Sequence, residues 1–141
     1  MLIAVNAGNS RVLLGGYEED GQVFSASIAT EPKLTRDDYA CKLQQVLLLY
    51  GVNVRRIHGG IVSSVVPSMV GVLEGALRLL GIRDVIEVSS GVKTGLNIRS
   101  EQPRQVGSDR VAAAVAARAK GKLPCVAVTL GTATTFTALD K

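Results

Sequence analysis

Residues 57–66 form an apolar run with Ile57, Ile61, Val62, Val65 and Val66, and it stops at Pro67. Beyond it Val70, Leu73, Leu77 and Leu80 recur at helical spacing until Gly81, and residues 84–88 are again apolar and β-branched. Strand, helix and strand in so short a span imply a parallel crossover, because parallel neighbours cannot be joined by a tight turn. That places the chain in the α/β class. Ser68 is the expected cap of the crossover helix, over Met69–Leu80.

The residues before the crossover read as a meander. A first strand over 1–5 ends at Asn6-Ala7-Gly8-Asn9, a turn signal. Residues 11–17 are a second strand, and Glu18-Glu19-Asp20-Gly21 closes a hairpin into a third over 22–29. Thr35 ahead of Asp37 and Asp38 marks a helix start of capping-box type. Leu43, Val46, Leu47 and Tyr50 are the apolar face of that helix, and Gly51 stops it. After the crossover, residues 89–106 carry Gly91, Gly95 and Pro103 with little periodicity and read as a long functional loop. Residues 108–120 are an alanine-rich helix, 125–128 a buried strand, and 134–139 a strand paired with it after a turn at Gly131.

With 141 residues, 47% of them hydrophobic, the chain can bury one core. The net charge of +4 is spread thinly, and aromatic residues are only 4%, too few for a base-stacking platform. No nucleic-acid partner is therefore expected, and the basic surplus reads as solvated surface. Cys41 and Cys125 are far apart and have no metal-like spacing; Cys125 is expected to be a small buried hydrophobe. No stretch reaches the length of a membrane span and Met1 leads straight into a strand, so a cytoplasmic setting without membrane contact is expected.

Three short segments carry the chemistry. Gly107-Ser108-Asp109-Arg110 opens the alanine-rich helix, where unpaired N–H groups and the helix dipole attract anions. Asn6, Gly8, Asn9 and Ser10 follow the first strand, and Gly131, Thr132 and Thr134 follow the last buried run. The three are expected to meet around a phosphate. Taken singly each has a plainer reading: a helix-start acid beside a surface arginine, a turn between strands, a threonine-rich strand end. Nothing matches a P-loop, and His58 has no partner for nucleophilic chemistry.

The order βββαβαβ resembles one lobe of the actin/hexokinase-like (ribonuclease H-like) nucleotide-binding fold, built on a mixed sheet. More specifically, the chain resembles the type III pantothenate kinases of the acetate and sugar kinase/Hsp70/actin superfamily. The likeness runs through Gly8-Asn9-Ser10, Thr30-Glu31-Pro32-Lys33 with Thr35, Asp37 and Tyr39, and Ile61-Val62-Ser63-Ser64-Val65-Val66-Pro67. It continues through Gly91-Val92-Lys93-Thr94-Gly95-Leu96, Pro103-Arg104, Gly107–Arg110 and Gly131-Thr132-Ala133-Thr134-Thr135. The resemblance implies an N-terminal lobe over 1–123 and the opening β-hairpin of a second lobe over 124–141.

It also implies ATP-dependent phosphorylation of pantothenate in coenzyme A biosynthesis, with Mg²⁺ and a monovalent cation (K⁺ or NH₄⁺). Asp109 matches the catalytic base, and Gly107, Ser108 and Arg110 match the substrate-binding part of its motif. Asn6, Gly8, Asn9 and Ser10 match the first phosphate loop; Gly131, Thr132 and Thr134 match the second. The departures are pointed. Asn6 and Thr129 stand where the family has aspartates tied to metal and cation handling, Thr137 stands for a further acid, and Ser100 for an aromatic. Phosphoryl transfer relies on cations to neutralise charge. Two readings follow: a kinase chain whose site is shared with a partner, as homodimer or heteromer with a related chain, or a catalytically inactive nucleotide- or pantothenate-binding or regulatory relative.

Overall fold

The structure, a computed structural model, describes residues 1–89, 91–131 and 133–140. They form two compact units, 1–87 and 88–141.

In the first unit, β1 (Leu2–Ala7), β2 (Arg11–Glu18) and β3 (Gly21–Ala29) make the expected antiparallel meander. The β2–β3 turn pairs Glu18 with Gly21, whose φ of 124° favours the glycine of the Asp-Gly signal. Helix α1 (Arg36–Leu49), strand β4 (Gly59–Ser64), helix α2 (Pro67–Leu79) and strand β5 (Val85–Glu87) follow. Both β1–β4 and β4–β5 are parallel, and the five strands lie in the order β3-β2-β1-β4-β5. This is the mixed sheet of an actin- or hexokinase-like lobe. Alternation along β1 turns Ile3, Val5 and Ala7 to one face, where Val12, Leu14 and Val62 join them. Helix α1 covers that face with Tyr39, Leu43 and Leu47, and α2 with Met69, Leu73 and Leu77, all essentially excluded from solvent. Burying a side chain of this size contributes about 1.5–3 kcal/mol, so this two-helix cover is the main source of the unit's stability.

Three local expectations are corrected. Ser68 does not cap α2: the N-cap is Val66, with no side-chain cap bond, and Pro67 occupies the first turn. Proline suits that place because its missing N–H would be unpaired there anyway. Tyr50 is half exposed and packs its ring against Phe24, 5.1 Å between centroids, instead of joining the buried face of α1. Cys125 is only partly buried, since it starts a strand whose other neighbours also alternate towards solvent. The start of α1 is as expected: Thr35 accepts from the Asp38 N–H, and the Asp38 carboxylate accepts from the Thr35 N–H and hydroxyl.

In the second unit, the described residues of 88–106 contain one short 3₁₀ turn, Pro103–Gln105. Helix α3 (Ser108–Lys120) then packs on the antiparallel hairpin of β6 (Cys125–Leu130) and β7 (Thr134–Leu139). Val111 and Ala114 of α3 and Leu139 of β7 are buried. Among the described residues no helix is long and apolar enough to cross a membrane.

Candidate functional site

The first loop sits where β1 has a parallel neighbour on one side and an antiparallel one on the other. Such a switch point leaves a crevice at the strand ends. Asn6 is in register with Leu13 of β2 and Ser63 of β4, and alternation places it on the face opposite the two helices. Its Oδ1 is buried and has no hydrogen-bond partner among the described residues. The turn that follows is tied down tightly. The Gly8 N–H donates to the Arg11 carbonyl (2.9 Å), the Thr30 hydroxyl to the Gly8 carbonyl (2.8 Å), and the Thr30 N–H to the Ser10 carbonyl (3.0 Å). Asn9 and Ser10 remain exposed at its tip.

Thr30 braces this candidate loop, a part that reasoning from pattern alone did not assign to it. Its neighbour Glu31 donates its N–H to the Tyr39 hydroxyl (2.9 Å), which in turn donates to the Glu31 carbonyl (3.3 Å). Tyr39 is fully buried. The segment after β3 is thus pinned to α1, and Thr30 carries that rigidity into the loop. The signal was a hydroxyl residue directly after a strand, followed eight to nine residues on by a tyrosine in a helix's first turns.

Gly107–Arg110 lies in the second unit. Gly107 is the N-cap of α3, and its carbonyl accepts from both the Arg110 and Val111 N–H groups (3.1 Å each). Glycine at the N-cap supplies no side-chain cap to this helix. Ser108 is buried and Asp109 partly so. The Asp109 carboxylate bends back over Gly107: a Cβ there would lie 2.5 Å from Oδ1. Glycine at 107 is what gives the carboxylate this position.

Arg110 points to the hairpin. Its Nε donates to the Thr137 hydroxyl (3.3 Å) and its Nη2 to the Phe136 carbonyl (3.2 Å). The structure therefore joins the Gly107–Arg110 motif to the strand that follows the second loop. Along α3 runs a cavity of about 380 Å³, lined by Leu96, Val111, Ala114 and Leu139 and by Arg110 and Arg118. Arg118 donates from Nη1 to the Gly95 carbonyl, which closes the 88–106 segment onto the helix.

In the second loop, Gly131 and Thr134 are exposed, and Thr132 lies outside the described residues. Thr129 and Thr135 are register partners, and the Thr135 hydroxyl is buried with no partner among the described residues. These residues do not fit a protein-held divalent cation. Mg²⁺ is bound through carboxylates and phosphates, whereas Asn6 offers a neutral amide oxygen and Thr129 and Thr135 offer hydroxyls. Among the described residues no group of three or more His, Cys, Asp or Glu could hold a metal ion.

The profile of the type III pantothenate kinase family matches residues 2–141. The chain is 37% identical over 142 residues to a type III pantothenate kinase of Geotalea daltonii, an alignment covering 100% of this chain and 55% of that protein. It spans about half the length of the curated relative it matches.

Proposed function

Because the chain belongs to the type III pantothenate kinase family, we propose that it serves the ATP-dependent phosphorylation of pantothenate, at the start of coenzyme A biosynthesis, in the cytoplasm. The observation that carries this reading is the Asp109 carboxylate, held over Gly107 at the uncapped start of α3. In this reading Asp109 takes the proton from the substrate hydroxyl as that oxygen attacks the γ-phosphorus, the bond from phosphorus to the β–γ bridging oxygen breaks and ADP leaves, and the positive end of the α3 dipole favours an anionic group of the substrate. Gly107, Ser108 and Arg110 shape the substrate end. Asn6, Gly8, Asn9 and Ser10 form one phosphate loop, and Gly131, Thr132 and Thr134 the other.

ATP enters with its Mg²⁺ as the family's nucleotide, but no step is assigned here to a cation held by the protein, because Asn6 and Thr129 remove the carboxylates. Thr129 stands where the family has the aspartate linked to a monovalent cation, so K⁺ or NH₄⁺ is not carried over to this chain. The lobe boundary falls after residue 123, with 124–141 opening a second lobe, and the site is completed by another chain, as homodimer or with a related protein. A second reading, a binding or regulatory relative without turnover, is favoured by Asn6, Thr129 and Thr137, which stand where the family has acids.

Phosphoryl transfer measured with pantothenate, ATP and Mg²⁺, with and without co-purifying protein, tests the first reading. Turnover that disappears in Asp109→Asn supports it. Nucleotide or pantothenate binding without turnover in any setting supports the second.

A further inference from the structure

The partly buried guanidinium of Arg110 is tied within the protein. Two of its donors go to β7, to the Thr137 hydroxyl and the Phe136 carbonyl, and both bonds cross from the first turn of α3 to the strand that leaves the second loop. Arg110 is next in sequence to Asp109, in a first turn whose N-cap, Gly107, offers no side-chain cap bond. A helix start without a side-chain cap frays easily. Here the fork of Arg110 does what a cap does not: it fixes the turn from outside. A planar guanidinium is suited to this, since it offers donors in a rigid arrangement that a lysine cannot reproduce.

We propose that Arg110 is a positioning residue, which locks the Asp109-bearing turn of α3 to β7 through Thr137 and Phe136, so that base and second loop move as one body. Thr137 is the specific half of the lock, because the Phe136 partner is backbone and present whatever the sequence. The proposal rests on the kinase reading only for what the alignment serves; the lock itself is independent of it.

The test uses the full chain and three variants: Thr137→Val, which keeps shape and loses the acceptor; Arg110→Lys, which keeps charge and loses the fork; and Thr137→Asp, which offers the fork a carboxylate. Amide hydrogen exchange is read at residues 110–113 and 135–139. Losing one such bond changes a local opening equilibrium about fivefold. Thr137→Val and Arg110→Lys are expected to speed exchange by about that factor in both segments together, and Thr137→Asp to slow it in both, since charge-assisted forks are stronger. Acceleration confined to β7, or none, overturns the lock. Where the wild-type chain turns over, Thr137→Val is expected to lower kcat with KM for pantothenate unchanged. A raised KM with unchanged exchange would instead make Arg110 a direct substrate contact. Absence of turnover in the wild type, both alone and with co-purifying protein, would remove the kinase reading and leave the exchange result to decide the lock.

Discussion

The carboxylate of Asp109 occupies space above Gly107 that any side chain at 107 would claim, with 2.5 Å between Oδ1 and a Cβ built there. Because φ at Gly107 is −58°, alanine is compatible with the backbone, and the carboxylate is the group that has to move. Gly107→Ala is therefore expected to leave the fold intact and to displace the carboxylate that we propose as the base. A displacement of about 1 Å at a reacting group costs roughly 100-fold in rate, while Asp109→Asn should cost about 10²–10⁴-fold. Phosphoryl-transfer kinetics alongside circular dichroism check both. Loss of folding in Gly107→Ala would show that the glycine serves the backbone and not the carboxylate.

Thr30 braces the first loop through one side-chain and one backbone bond, to Gly8 and Ser10. Thr30→Val keeps the shape and the backbone bond and leaves the Gly8 carbonyl short of its donor. The expected cost is about 1 kcal/mol in global stability, with faster amide exchange concentrated at residues 8–11. Denaturant unfolding gives the first quantity and exchange mass spectrometry the second. Uniform acceleration across the sheet would mean that the loop has no separate anchor.

Stability in acid should depend on the start of α1. The Asp38 carboxyl is held below its ordinary value of 3.8, chiefly by the Thr35 hydroxyl and then by the Thr35 N–H, with a lesser contribution from Lys42. A carboxyl that is more acidic in the folded state contributes stability above its unfolded pKa and loses it as the pH falls through the folded one. The wild type should therefore lose Tm below about pH 4 partly through this group. Thr35→Ala, expected to cost about 1 kcal/mol at neutral pH, should show a shallower acid slope. Parallel slopes in a thermal-melt series from pH 6 to pH 2.5 would remove Asp38 from the account.

The sequence made two parts of the sheet legible, the β1–β2–β3 meander and the β4–α2–β5 crossover, while the parallel β1–β4 pairing that joins them had no signal of its own. The Asp-Gly turn, the Thr35–Asp38 box and the Pro67 break mark three of the element boundaries, and the crossover follows from spacing. What it did not disclose are partners distant in the chain. Thr137 looked like a vanished acid, yet its hydroxyl accepts from Arg110, 27 residues away. Thr30 looked like part of a motif, and its use is to hold a loop 22 residues earlier. Ser68 misled because serine before an apolar helical run is a cap signal, whereas Pro67 had already started the helix. The fold of a carboxylate over its neighbouring glycine, as at 107 and 109, depends on rotamer and has no pattern in the residue string.

Asn6 gives the last prediction. Its Oδ1 is shut away from solvent beside β2 and β4 without a donor among the described residues, and an unsatisfied buried group costs about 1–3 kcal/mol. A neutral amide cannot take up a divalent cation as a carboxylate does. Asn6→Asp keeps the shape and adds a charge in the same place, where burial disfavours ionisation. In EDTA this variant should melt below the wild type. Added Mg²⁺ or Mn²⁺ should raise its Tm progressively, since a ligand that binds only the folded state stabilises it by mass action, about 2.7 kcal/mol at 100 times Kd. The wild type should show no such rise. A cation-dependent rise of equal size in both proteins would mean that the loop holds a cation through its amide and hydroxyl oxygens. A lower Tm in Asn6→Asp that no cation restores would mean that the surroundings of residue 6 are too closed to admit one.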